Sequence, residues 1–261
     1  MIDVRNVLGS ILGTGMTPSS SRRIEHALGS PQMSGLGGLL GQLAGSARQA
    51  AGETGRQARA GNPMAVGGLG ALAGAILGGA RGSSARGALG GAALAILGQV
   101  AYSALQGKLG GSSAPASGQL AEGGEPPLGV REPKDPGEEA MLNSRGLILL
   151  QAMINAAKAD GQIDGREMER ILTKLDESGA DAEAKDFVLA EMRRPLDVDA
   201  LVAQATTPEL AAEVYAASLL AIEVDTPAER AYLDRLAAAL GLDQATRQRV
   251  HQLFGVNAAT A

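Results

Sequence analysis

Apolar residues recur at helical spacing through the second half of the chain. Leu147, Ile148, Gln151, Ile154 and Ala157 fall on one face of a 3.6-residue repeat. Asp164, with Glu167 three residues on, reads as a capping-box start ahead of Met168, Ile171, Leu172 and Leu175. A third helix is predicted over Ala182–Arg193 and is ended by Pro195; a short one follows over Val198–Gln204. Thr207-Pro208-Glu209 opens a helix reaching about Glu223, with threonine as cap and proline in the first turn. Thr226-Pro227-Ala228-Glu229 repeats the device before Tyr232, Leu233, Leu236 and Leu240, and Gly241 stops that helix. Asp243 caps a last helix carrying Val250, Leu253 and Phe254. The pattern predicts an all-α domain of seven helices over residues 141–261, large enough for one core.

The first half is patterned differently. Val4, Val7, Leu8, Ile11 and Leu12 suggest a short amphipathic surface helix, broken too early by Asn6, Gly9 and Ser10 to be a secretory signal. The rest of residues 1–63 has too little apolar mass to offset its ordering entropy and reads as mostly flexible. Residues 64–109 hold two uncharged runs, Met64–Ala80 and Gly87–Leu105, separated by the polar Arg81–Arg86. A membrane span needs about 20 apolar residues, and both runs approach that length. Gly70, Gly74 and Gly78 are spaced by four, as are Gly87 and Gly91. Glycine at that spacing lets helices approach closely in lipid, so the segment reads as a glycine zipper, membrane-associated and able to pair copies of the chain. Residues 110–140, rich in Pro, Gly, Ser and acidic side chains, read as a disordered linker.

Composition narrows the chemistry. The 37 glycines of 261 residues concentrate in the first half, so they describe that half and not the helical domain. There is no Cys, which excludes disulfide scaffolds, thiol catalysis and cysteine-ligated metals. The first 110 residues are net basic and residues 141–261 net acidic. No basic stripe carries interleaved aromatics, so nucleic acid is not expected as a partner. Gly68-x-Gly70-x-x-Ala73 matches a dinucleotide fingerprint only literally, with no strand before it and no acidic residue about 20 positions on. His26 falls in the region read as flexible and His251 beside Arg249, where it reads as a surface residue. No Ser-His-Asp arrangement can be assembled, and no enzyme is expected.

Two strings carry a resemblance. Ala156-Ala-Lys-Ala-Asp160-Gly161-Gln-Ile163-Asp164-Gly-Arg-Glu167 is similar to the first block of tellurite-resistance TerB-like domains, and Ala217-Ser-Leu-Leu-Ala221-Ile222-Glu-Val-Asp225-Thr-Pro227-Ala-Glu229-Arg230-Ala-Tyr232-Leu233 to the second. With the glycine-rich first half, the chain resembles the DUF533 (YebE-like) family of bacterial inner-membrane proteins. The resemblance implies a seven-helix fold and an acidic cluster between its halves. Carried over by position, the cluster is Asp160, Asp164, Glu167, Asp225 and Glu229. Oxygen-rich clusters suit hard cations such as Ca²⁺ or Mg²⁺, yet the same carboxylates are what helix N-termini use as caps.

The expectation is therefore a non-enzymatic protein anchored in a bacterial inner membrane. Its TerB-like helical module would sense or scaffold an unidentified protein partner, with a divalent cation as a candidate cofactor and a stress or envelope role implied by the resemblance. Arginines flanking the apolar runs favour a cytoplasmic C-terminal domain. The alternatives are a soluble or peripheral metal-binding stress protein, and a hydrolase using Asp160, Asp164 and Glu167.

Overall fold

A computed structural model describes residues 18–29, 83–105, 133–161, 168, 169, 171, 173 and 182–256. All regular structure among the described residues is helical. We number the helices α1 (Pro18–Gly29), α2 (Ser83–Leu105), α3 (Pro136–Ala157), α4 (Ala182–Arg193), α5 (Val198–Gln204), α6 (Pro208–Ala221), α7 (Pro227–Ala239) and α8 (Gln244–Leu253).

Local signals set the helix starts. Asp135, Asp197, Thr207, Thr226 and Asp243 each accept a hydrogen bond from a backbone N–H three residues on, satisfying one orphan donor of the first turn. Proline occupies the first turn of α3, α6 and α7, where its missing N–H leaves nothing unpaired. At the other end of α7, Gly241 takes φ +66°, a left-handed conformation that glycine adopts without a Cβ penalty. Around the expected second helix, residues 168, 169, 171 and 173 are helical, and Met168 and Ile171 pack on the core. Its proposed start at Asp164 and Glu167 lies outside the described residues.

The core is arranged around α6. Every residue from Ala211 to Ala221 is buried, so this helix is enclosed on all sides and not amphipathic. It packs against α3 and α2 most extensively, and also meets α7 and α1. Leu97, Leu149, Leu150, Met153, Leu219, Leu220 and Phe254 are among the largest fully enclosed side chains. Each contributes roughly 1.5–3 kcal/mol relative to exposure.

Two expectations change here. The linker ends earlier than residue 140: α3 begins at Pro136, capped by Asp135 with Glu138 and Glu139 in its first turn. The run Gly87–Leu105 does form a helix, but it is a core element. Leu94, Ile96, Leu97, Val100, Ala101, Ala104 and Leu105 are buried against the protein, mainly α6 and α8. Among the described residues no helix is long and apolar enough to cross a membrane. The glycines, Gln99, Tyr102 and Ser103 dilute the apolar content of α2. Gly98 of α2 lies against Glu213 of α6, where a Cβ would come within 3.2 Å of Glu213 Oε1. Met64–Ala80, with Gly70, Gly74 and Gly78, lies outside the described residues, as do residues 1–15. Ile24 and Ala27 of α1 belong to the same core cluster as α2 and α6, so the folded body reaches beyond residues 141–261.

Candidate functional site

Buried polar groups concentrate where helices end. The last turn of α6 leaves carbonyls without intrahelical partners, and the chain turns extended at Ile222 (φ −123°, ψ 161°). Helix α1 supplies the missing donors from about 200 residues away. Ser20 Oγ donates to the Leu220 carbonyl at 2.7 Å. The Arg23 guanidinium donates through Nη1 to the carbonyls of Leu219 and Ile222, and through Nη2 to that of Glu223 at 3.1 Å. One turn on, His26 Nδ1 lies 3.2 Å from the Leu253 carbonyl at the end of α8. Ser20, Arg23 and His26 are three apart, so one face of α1 meets the carbonyl ends of two helices. Cations are favoured at that end of a helix dipole. Arg23 is only 6% exposed. Burial holds its pKa below the usual arginine value, opposed by the nearby Glu223 and Glu229.

The corner after α6 is strained and carefully capped. Val224 has φ +62°, a conformation rare for a β-branched residue, and its side chain is buried. Arg230 Nη1 donates to the carbonyls of Val224 and Asp225 at 3.4 and 3.3 Å. Arg23 and Arg230 thus gather most of the carbonyls between residues 219 and 225. Glu229 completes a capping box: its Oε2 accepts from the N–H groups of Asp225 and Thr226 and from Thr226 Oγ1, all near 3 Å.

Three further polar contacts join helices. Lys158, buried at the end of α3, donates to the carbonyls of Glu191 and Arg194 at 2.8 and 3.0 Å, closing the end of α4. Burial lowers its pKa, countered by Glu191. Glu213, wholly enclosed in α6, accepts two charge-assisted hydrogen bonds from Arg145 of α3. Burial raises the Glu213 pKa, and Arg145 opposes it. A Cβ on Gly98 of α2 would lie 3.2 Å from Glu213 Oε1, so this glycine makes room for the ion pair. Finally, the Tyr215 hydroxyl lies 2.8 Å from His251 Nε2, with the two rings stacked at 5.9 Å. Burial foremost, then Arg247 and Arg23, pushes the His251 pKa down to about 4. A neutral ring accepting the tyrosine proton fits that value. His251 is therefore a core residue and not the surface residue expected. His26, expected in a flexible stretch, sits on a docked helix.

Of the five expected carboxylates, Asp160, Asp225 and Glu229 are among the described residues. Asp160 and Asp225 are exposed, Glu229 is committed to its cap, and Asp164 and Glu167 lie outside the described residues. Among the described residues no group of three or more His, Asp or Glu side chains is placed to hold a metal ion.

A family model described as "Protein of unknown function (DUF533)" matches residues 59–254. The chain belongs to the DUF533 family. A relative from Yersinia enterocolitica, described as "Uncharacterized protein in ampR 5'region", is 31% identical over 121 residues, covering 46% of this chain and 87% of that one. No solved structure matches. Within this DUF533 chain, α2 to α8 lie inside the family match and α1 lies outside it. Residue patterns alone missed Arg23, Arg145, Glu213 and Lys158, because each acts on an element distant in sequence. A charged residue within the apolar run of α6 was the one available hint for Glu213.

Proposed function

We propose that this DUF533 protein is a non-enzymatic helical scaffold held at a bacterial inner membrane by the uncharged run Met64–Ala80, which enters from the cytoplasmic face without crossing, so that α1 and the rest of the helical body stay together on that side. One observation carries the scaffold reading: the buried charged groups Arg23, Lys158, Glu213 and Glu229 all bind helix ends or neighbouring helices. Groups used in that way fix helix geometry and are not held ready for a substrate. The likeness of the two blocks to TerB-like modules supports a sensing or scaffolding role toward a protein partner, in a stress or envelope setting. The length and lack of charge of Met64–Ala80 support the tether. Paired Gly70, Gly74 and Gly78 would bring copies together there. Fractionation of the full chain with a carbonate wash tests the tether. Retention in the membrane pellet is expected, and complete release into the soluble fraction overturns it.

A further inference from the structure

Helix α8 holds a buried titratable ring, His251, only 5% exposed. Its Nε2 accepts from the Tyr215 hydroxyl of α6 at 2.8 Å. The same hydroxyl faces the Arg247 guanidinium, one turn earlier in α8. Arg247 donates through Nη2 to Asp234 of α7, while its Nε is buried without a hydrogen-bond partner. The arrangement is directional. The tyrosine proton points to a neutral imidazole, and the tyrosine oxygen faces a cation.

The charges around the ring are mostly positive. Helix α1 brings Arg23, with His26 one turn on at the Leu253 carbonyl; α8 brings Arg247; α7 brings Asp234, whose side chain is largely exposed. Helix α6 brings Tyr215, and α2 has no ionisable side chain from Leu94 to Leu105 except the exposed Tyr102. A protonated His251 is therefore a third cation beside two arginines, opposed by one carboxylate. Protonation also turns Nε2 from acceptor to donor. His251 and Arg247 then both aim N–H groups at one hydroxyl, whose own proton loses its acceptor. In a buried site that conflict is costly. Helix α8 is the element that can yield. It has ten residues, too few for stability alone, and follows α7 through the turn at Gly241. It lies chiefly on α2, whereas α6 is enclosed on all sides.

We propose that Tyr215, His251 and Arg247 form an acid latch: protonation of His251 lifts α8 from α2 and α6 while α3, α6 and α7 stay folded. The contact of His26 with the Leu253 carbonyl is given up in the same step, and the bonds of Ser20 and Arg23 to the end of α6 are kept. The inference does not depend on the membrane tether.

Hydrogen exchange of the purified full chain at about pH 7 and about pH 5, expressed as protection factors, reads the latch helix by helix. Burial foremost, then Arg247 and Arg23, holds the His251 pKa at about 4, against 6.5 for a free ring. Its contribution is full above pH 6.5 and is lost as pH falls, so α8 protection should drop about twentyfold between the two conditions. At about pH 5, α8 amides should be at least about a hundredfold less protected than those of α6. Equal protection of α8 and α6 at that pH means that the helices open only together, and overturns the latch. An α8 protection that does not change with pH overturns it as well. His251→Gln stays neutral and should hold its α8 protection over the same range; a fall as large as in wild type overturns the assignment to His251. Arg247→Gln, on the partly exposed flank, decides the matter if His251→Gln does not fold. It removes one of the two competing cations, so the pH-dependent fall in α8 should shrink, and a fall equal to wild type overturns the proposal.

Discussion

Replacing Arg145 by Ala isolates the energetics of the three-helix junction. Glu213 Oε1 and Oε2 sit in α6 with a side-chain exposure of 0%, and both receive their hydrogen bonds from Arg145, whose side chain is 39% exposed. Removing the guanidinium leaves an enclosed carboxylate without its partner. Breaking a buried pair in this way costs about 3–5 kcal/mol. The partial exposure of Arg145 places the expected loss near the lower end, about 3 kcal/mol. Glu213→Gln should cost about 1 kcal/mol, because the freed arginine can turn to water while the amide keeps an acceptor. The pH dependence has a definite sign. Burial already raises the Glu213 pKa above 4.5, and loss of Arg145 raises it further. The native state of Arg145→Ala then binds a proton that the unfolded state has released. Its stability relative to wild type should therefore fall as pH rises from about 4.5 toward neutrality, and recover as pH falls. Urea unfolding followed by far-UV circular dichroism at about pH 5 and about pH 7 reads both effects. Comparison at the same pH removes the separate titration of His251. A loss below about 1 kcal/mol, or a difference from wild type that does not change with pH, would refute the junction as described.

Other outcomes follow from the same contacts. His251 should make the protein acid-sensitive: a pKa of about 4 against 6.5 unfolded means stability is full above pH 6.5 and is lost as pH falls toward 4. The linked loss approaches about 3 kcal/mol, and His251→Gln should flatten it in a pH series of thermal melts. Arg23→Ala should free α1 while leaving α6 and α3 protected, read as hydrogen exchange confined to residues 18–29; a collapse of protection throughout the core would contradict it. Thr226→Ala should cost about 1 kcal/mol through loss of the α7 cap, measured as a shift in urea midpoint. Because Glu229 is engaged by the corner, Ca²⁺ or Mg²⁺ should leave the melting temperature unchanged in wild type; a saturable rise lost in Asp160→Ala would instead restore the cation reading.

What the sequence revealed divides by range. The bounds of Ala182–Arg193 and Val198–Gln204, the caps at Thr207, Thr226 and Asp243, and the Gly241 stop all agree with the structure, because a cap is decided within three or four residues. Asp135-Pro136 uses the same device, yet it was hidden in a stretch whose proline and glycine content reads as linker. The apolar run in α2 was legible as a helix, but not its surroundings. Lipid and a protein core ask for similar residues, and what separates them here is the pairing with α6, which no local pattern encodes. Gly98 illustrates this: its role depends on Glu213 and Arg145, both far along the chain. His251 looked exposed because of its arginine neighbours. In the helix its ring turns to Tyr215, one position from the buried Val250. Asp225 and Glu229 were found as a pair, and the corner uses Glu229 for backbone capping.

The central claim is that α2 is buried in protein. Single cysteines in this cysteine-free chain test it directly. Val100 is fully buried and Tyr102 is 39% exposed, two positions apart on the same helix. With the full chain at native expression, in whichever cell fraction it is recovered, Tyr102→Cys should react with a membrane-impermeant maleimide. Val100→Cys should react only after denaturation. Equal shielding of both positions, relieved by detergent alone, would place α2 in the bilayer and contradict the account.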